Sequence, residues 1–172
     1  LYRQELINEG VSEDKIYRIN FGVDEMFRDC RLRIFNPGWM ARNDKYMARK
    51  GWDEWKCLSE CDWIDARRSE GTLSQEQMVI EYKMADAIVS TARLEGGPIG
   101  CLEALAMGKP YIGREGVGLH DEYRKHIIRY KDYNNLVMIL DCLYQIKKGR
   151  HNAVLANQWP MCAQEVWSAI GS

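Results

Sequence analysis

Between residues 31 and 148, short apolar runs of strand length alternate with amphipathic stretches of helix length, and this alternation restricts the fold more than any other feature. Arg31 to Asn36 (RLRIFN) and Asp86 to Thr91 (DAIVST) read as strands, the second of the wholly buried type. Asp62 to Arg67 (DWIDAR), Lys109 to Gly113 (KPYIG) and His126 to Tyr130 (HIIRY) add three more, and Lys15 to Asn20 (KIYRIN) forms a short one ahead of them. The helical stretches are Trp52 to Cys61, Ser74 to Ala85, Pro98 to Met107 and Asn134 to Lys148. Ser74 is an N-cap with Gln77 as its capping-box partner, and Pro98 and Gly108 bracket the third helix. Leu1 to Glu9 reads as the end of a helix stopped by Gly10, and a last helix is expected near Trp159 to Ile170. The polar segment Gly38 to Gly51 reads as a loop leading into the Trp52 helix. Strands alternating with helices pair in parallel, so the expected fold class is α/β: a Rossmann-like open parallel sheet with helices on both faces. Such sheets take ligands at the carboxyl ends of their strands.

At 172 residues the chain is the size of one domain, residues 1–172, able to bury a core without staples. Its 24 basic and 25 acidic residues nearly cancel, which gives no electrostatic reason to expect nucleic acid. No apolar run approaches the length of a transmembrane segment. Six cysteines without a C-x-x-C pair read as reduced thiols and not as a zinc site or disulfide framework. The chain opens at Leu1 in what reads as mid-helix, so it is taken for an excised piece.

The most informative stretch is Ala87 to Pro110, AIVSTARLEGGPIGCLEALAMGKP. A buried strand runs into a Gly-Gly-Pro turn and a helix starts at once. The helix start presents unpaired N–H groups and partial positive charge. Gly96 and Gly97 let a ligand approach the backbone, and Pro98 presets the first helical φ without wasting a donor. The turn suits a phosphate or sugar hydroxyls. Glu95 precedes it and Glu103 follows in the helix; each carboxylate can accept from the vicinal hydroxyls of a sugar or ribose. Two glutamates eight residues apart are individually ordinary surface acids. The ordered context of strand, Glu, Gly-Gly, helix, Glu-Ala, Ala-Met-Gly and Pro is what makes them specific.

That segment resembles the E-x7-E donor site of the retaining glycosyltransferases of the GT-B fold, the large family numbered four, also called glycosyl transferases group 1. Gly10-Val11-Ser12 with Lys15-Ile16, Asn20-Phe21-Gly22-Val23-Asp24 and Tyr82-Lys83-Met84-Ala85-Asp86 are similar to the family's other motifs, in the same order. The resemblance implies a nucleotide-sugar donor domain, one half of a GT-B fold, whose amino-terminal acceptor domain lies outside this chain. It implies Glu95 on hydroxyls of the transferred sugar, Glu103 on the nucleotide ribose, and backbone near Gly97, Pro98 and Ile99 on the sugar and diphosphate. Arg42 and Lys50-Gly51 match the family's cations for the leaving diphosphate, with Gly38 allowing close approach; a solvated basic loop is the plainer alternative. The Arg42–Lys50 loop is longer than usual, which would let Arg49 take the role of Arg42. The donor would be GDP-mannose or a UDP-sugar, no metal or other cofactor would be required, and the location would be cytoplasmic, with any membrane-surface attachment left to the missing domain. A non-catalytic GT-B-like carbohydrate or assembly module and a nucleotide-sugar epimerase share the architecture.

Departures from the family pattern include Thr91-Ala92 in place of Pro-Ser, and room for only one strand between Lys50 and Tyr82, a region that helps form the nucleobase pocket. Gly116-Val117-Gly118 stands where a diglycine is usual. No Asp-x-Asp pair occurs, as a metal-dependent glycosyltransferase would need. His126 reads as a core residue, whereas His120 falls in a loop that could reach the ligand cleft.

Overall fold

The computed structural model describes residues 2–16, 29–38, 44–68, 73–97 and 99–155. It divides into two compact units, residues 31–147 and the described parts of 1–30 and 148–172. The smaller unit contains α1 (Tyr2–Asn8) and a 3-10 turn, Glu13–Lys15. Gly10 closes α1, and the Val11 N–H reaches back to the Leu6 carbonyl at 2.9 Å, as the sequence leads one to expect of a glycine C-cap.

The larger unit contains a five-stranded sheet built from β1 (Leu32–Asn36), β2 (Ile64–Arg68), β3 (Ala87–Ser90), β4 (Tyr111–Arg114) and β5 (Ile128–Tyr130). The strands lie in the order β2-β1-β3-β4-β5, and every pair is parallel. Its helices are α2 (Asp44–Arg49), α3 (Trp52–Ser59), α4 (Gln75–Met84), α5 (Ile99–Ala106) and the short α6 (Leu119–Glu122), with α7 (Tyr133–Leu155) after the last strand.

The central strands β1, β3 and β4 are buried on both faces and read as largely apolar runs, while the edge strands β2 (IDARR) and β5 are part-exposed. On one face Leu32, Ile34, Val89 and Ile112 pack with Trp55 and Leu58 of α3 and Leu136 and Leu140 of α7. On the other, Phe35, Ile88 and Tyr111 pack with Tyr82 of α4 and Cys101 and Ala104 of α5. The expected fold class, an open parallel α/β sheet with helices on both faces, is the one observed.

The boundaries differ in instructive ways. Ser74 caps α4 through a complete capping box with Gln77, as expected. Residues 44–49, expected as loop, form α2, whose Tyr46 ring lies beneath the Arg49 guanidinium at 5.6 Å. β4 starts two residues later than expected because the Lys109 N–H closes α5 on the Ala104 carbonyl at 2.9 Å and Pro110 has no N–H to give; the Lys109 ammonium donates to the Lys83 and Ala85 carbonyls at the end of α4. His126, expected in a strand core, is exposed, with its N–H on the Tyr123 carbonyl in a turn. α7 runs on through Gly149; at its start Asp132 Oδ1 accepts from the Asn135 N–H at 2.9 Å, and Asn135 Oδ1 accepts from the Lys131 N–H at 3.1 Å. One strand lies among the described residues between Lys50 and Tyr82, namely β2. Most of the Lys15–Asn20 segment and the helix expected near 159–170 fall outside the described residues.

Candidate functional site

In an open parallel sheet, the ligand crevice opens where the strand order reverses, because neighbouring loops there part in opposite directions. Here that point lies between β1 and β3. A cleft of about 160 Å³ sits there, lined by Asn36, Pro37 and Gly38 after β1, Ser90 at the end of β3, Lys50, Glu95, Gly97, Ile99 and Gly100, with Tyr111 of β4 at its base.

Lys50 and Glu95 meet in this cleft as an ion pair, their side chains only 12% and 21% exposed. Two loops are stitched together to bring them there. The Arg93 and Leu94 amides both donate to the Arg49 carbonyl, at 2.7 and 3.3 Å. Thr91 Oγ1 donates to the Lys50 carbonyl at 2.8 Å. Gly51 follows Lys50 at φ +65°, where a Cβ would strike the Thr91 carbonyl oxygen. The same reasoning applies below Glu95, whose carbonyl leaves no space for a side chain at Gly118 (φ +47°). The Gly116-Val117-Gly118 loop therefore supports Glu95 from beneath.

The sequence-proposed residues fall out as follows. Lys50, Glu95, Gly38, Gly97 and Ile99 line the cleft together. Gly96 is exposed and lies outside the lining. Glu103 is also outside it, one helical turn beyond the cleft-lining Gly100, and its carboxylate accepts a 2.6 Å hydrogen bond from the Tyr82 hydroxyl. The Ile99 amide donates to the Gly97 carbonyl at 2.8 Å, so it is not the open donor that the sequence suggested. Arg42 and Pro98 lie outside the described residues. Arg49 is exposed and its guanidinium sits over Tyr46 instead of the cleft.

Sequence reasoning missed the support beneath the cleft. Tyr111 is 1% exposed, and burial pushes its hydroxyl well above the usual tyrosine range. Its partner is His120, wholly buried, at 3.0 Å. His120 Nδ1 lies 3.0 Å from the Arg114 carbonyl, which can only accept, so Nδ1 carries the proton and Nε2 accepts from Tyr111. Burial holds the His120 pKa below its ordinary value, partly offset by the bond to Arg114. This neutral ring has a consequence for stability. Below about pH 6.5 the unfolded chain binds a proton that the fold refuses, so stability falls by up to about 1.4 kcal/mol per pH unit until the folded pKa is passed. Denaturant unfolding at pH 7.5 and 5.5 is expected to show this loss in the wild type and a smaller loss in His120→Gln. An equal acid loss in both proteins would refute it.

Among the described residues no helix is long and apolar enough to cross a membrane, and no three His, Cys, Asp or Glu side chains are grouped to hold a metal ion.

Residues 64–135 match the family model described as "Glycosyl transferases group 1". The matched segment runs from β2 into the start of α7 and includes Glu95, α5 and Glu103, while Lys50 and the β1 end of the cleft precede it. It covers less than half of the chain. Among solved structures, the chain is similar to the apo form of the lipopolysaccharide outer core galactosyltransferase WaaB, with 14% identity, a TM-score of 0.48, and coverage of 98% of this chain and 58% of that one. It is also similar to TarM, with 16% identity, a TM-score of 0.44, and coverage of 99% and 38%. The chain thus spans less than two thirds of the length of either structure. No curated protein matches it significantly.

Proposed function

We propose that the chain is the donor-binding half of a retaining, metal-independent glycosyltransferase, holding a nucleoside-diphosphate sugar in the cleft that Lys50 and Glu95 share. The observation that carries this reading is the meeting of that ammonium and that carboxylate, both largely buried, at the switch point of the sheet and beside the start of α5. A lysine has three N–H donors, so Lys50 can hold Glu95 and still donate to a diphosphate. A carboxylate has two oxygens, so Glu95 can accept from Lys50 and from a sugar hydroxyl. Gly38 and Gly97 give close access to backbone, Glu103 takes the ribose, and Arg42 is the expected second cation. The match of residues 64–135 to the group 1 family supports glycosyl transfer as the reaction class.

In that reaction the bond from the anomeric carbon to the diphosphate oxygen breaks while the acceptor oxygen bonds to the same face of the carbon. The acceptor proton passes to the departing diphosphate, so no protein nucleophile is required. Charge grows on the leaving group, and a cation fixed in a water-poor cleft stabilises it most at the transition state. The acceptor would sit on an amino-terminal domain beyond this chain, in the cytoplasm.

Calorimetry tests the reading. GDP-mannose, UDP-glucose and UDP-GlcNAc are titrated, in EDTA, into the wild-type chain, Lys50→Ala and Glu103→Ala. At least one is expected to bind, and Lys50→Ala to weaken it by about tenfold or more, the worth of a hydrogen bond between charged groups. No binding by any donor, or undiminished binding in both variants, would count against it.

A further inference from the structure

Beneath the first turn of α5 lies a tyrosine hydroxyl that the proposed chemistry does not use. Tyr82 is 2% exposed, and its ring is locked edge-on against Phe35 at 5.2 Å and 85°. Its hydroxyl donates to Glu103 Oε2 at 2.6 Å and lies 3.4 Å from the carbonyl of Gly100, which lines the cleft. Gly100 itself has no room for a side chain, since a Cβ there would strike the Pro37 ring and come within 3.2 Å of the Tyr82 hydroxyl. The packing of β1, α4 and α5 therefore converges on this one oxygen.

An exposed glutamate on a helix ordinarily samples many rotamers, and fixing one costs entropy whenever a ligand binds it. A buried hydroxyl that aims at one carboxylate oxygen removes that freedom beforehand. It engages Oε2, and the carboxylate keeps a second oxygen with which to accept. We infer that Tyr82 is a positioning residue for the nucleotide ribose: it presets the Glu103 carboxylate so that the second oxygen meets the vicinal hydroxyls. This rests on the donor-site reading above. The burial that raises the Tyr82 hydroxyl well above the usual range keeps it a donor throughout the working pH range.

The test reads the ribose preference, which a purely structural tyrosine would not alter. UDP and GDP, and their 2′,3′-dideoxy analogues, are titrated calorimetrically into the wild-type chain, Tyr82→Phe, Glu103→Ala and the double variant. The wild type is expected to favour the ribonucleotide by about tenfold, one well-made hydrogen bond to a charged group. Tyr82→Phe should lose most of that preference while binding the dideoxy analogue as before, and should change nothing further in the Glu103→Ala background. A preference retained in Tyr82→Phe overturns the positioning role and leaves the donor site standing. So does an equal loss of affinity for both nucleotide types in both backgrounds. A wild type that binds neither nucleotide overturns the donor-site reading itself, and this inference with it.

Discussion

Replacing Glu54 by alanine is expected to destabilise the chain by about 3 kcal/mol, the cost of leaving a buried charge without its counter-ion. Glu54 stands in the first turn of α3 and is 8% exposed. Its Oε1 accepts from the Arg114 guanidinium at the end of β4 and from Arg93 Nη2 at 3.3 Å, and its Oε2 accepts from the Tyr130 hydroxyl at 3.3 Å. Arg114 lies over the Tyr130 ring at 5.0 Å and donates to the Lys131 carbonyl at 3.1 Å. One carboxylate thereby ties α3 to the ends of β4 and β5. Asp53, its neighbour in sequence, also pairs with Arg93, but it is 64% exposed. Asp53→Ala should cost less than about 1 kcal/mol, because water already screens that pair. Urea unfolding of the two variants measures the contrast; equal small losses would show that the buried pair contributes no more than a surface one.

The second large effect is expected at Gly51. Alanine there must adopt the left-handed region, at about 1–2 kcal/mol, and its Cβ must also displace the Thr91 carbonyl, which overpacking precedents put at about 1–3 kcal/mol more. Gly108 supplies the control. Its φ is +66°, nearly that of Gly51, yet nothing lies within 4 Å of a Cβ built on it. Gly108→Ala thus isolates the conformational cost, and Gly51→Ala should exceed it by the cost of the collision. Since the Thr91 carbonyl belongs to the stitched loops that present Lys50 and Glu95, Gly51→Ala should also weaken nucleotide-sugar binding, whereas Gly108→Ala should not. Similar unfolding free energies for the two variants would refute the close approach at Gly51.

Much of this architecture is legible in the residues because local physics decides it. The Ser74–Gln77 capping box, the buried run at β3 and the glycine that closes α1 each depend on neighbours a few positions away. The Glu95 to Glu103 stretch was legible as a candidate site for the same reason: strand, turn and helix follow directly on one another. What stayed hidden depends on distant partners. Glu54 meets Arg114 across 60 positions and Tyr130 across 76, and nothing near Glu54 distinguishes it from any acid in a first helical turn. Tyr111 and His120 become a buried pair only once β4 and α6 fold back on each other. Lys109 looked like the start of a strand, but its ammonium caps the end of α4, which periodicity cannot reveal.

The most direct measurement is amide chemical-shift mapping of the full chain during titration with a nucleotide sugar. The largest shifts are expected at Gly38, Lys50, Gly51, Gly97 and Gly100, around the cleft at the β1–β3 switch point. Saturable shifts confined to other surfaces, such as the outer face of α4, would contradict the placement of the donor site between Lys50 and Glu95.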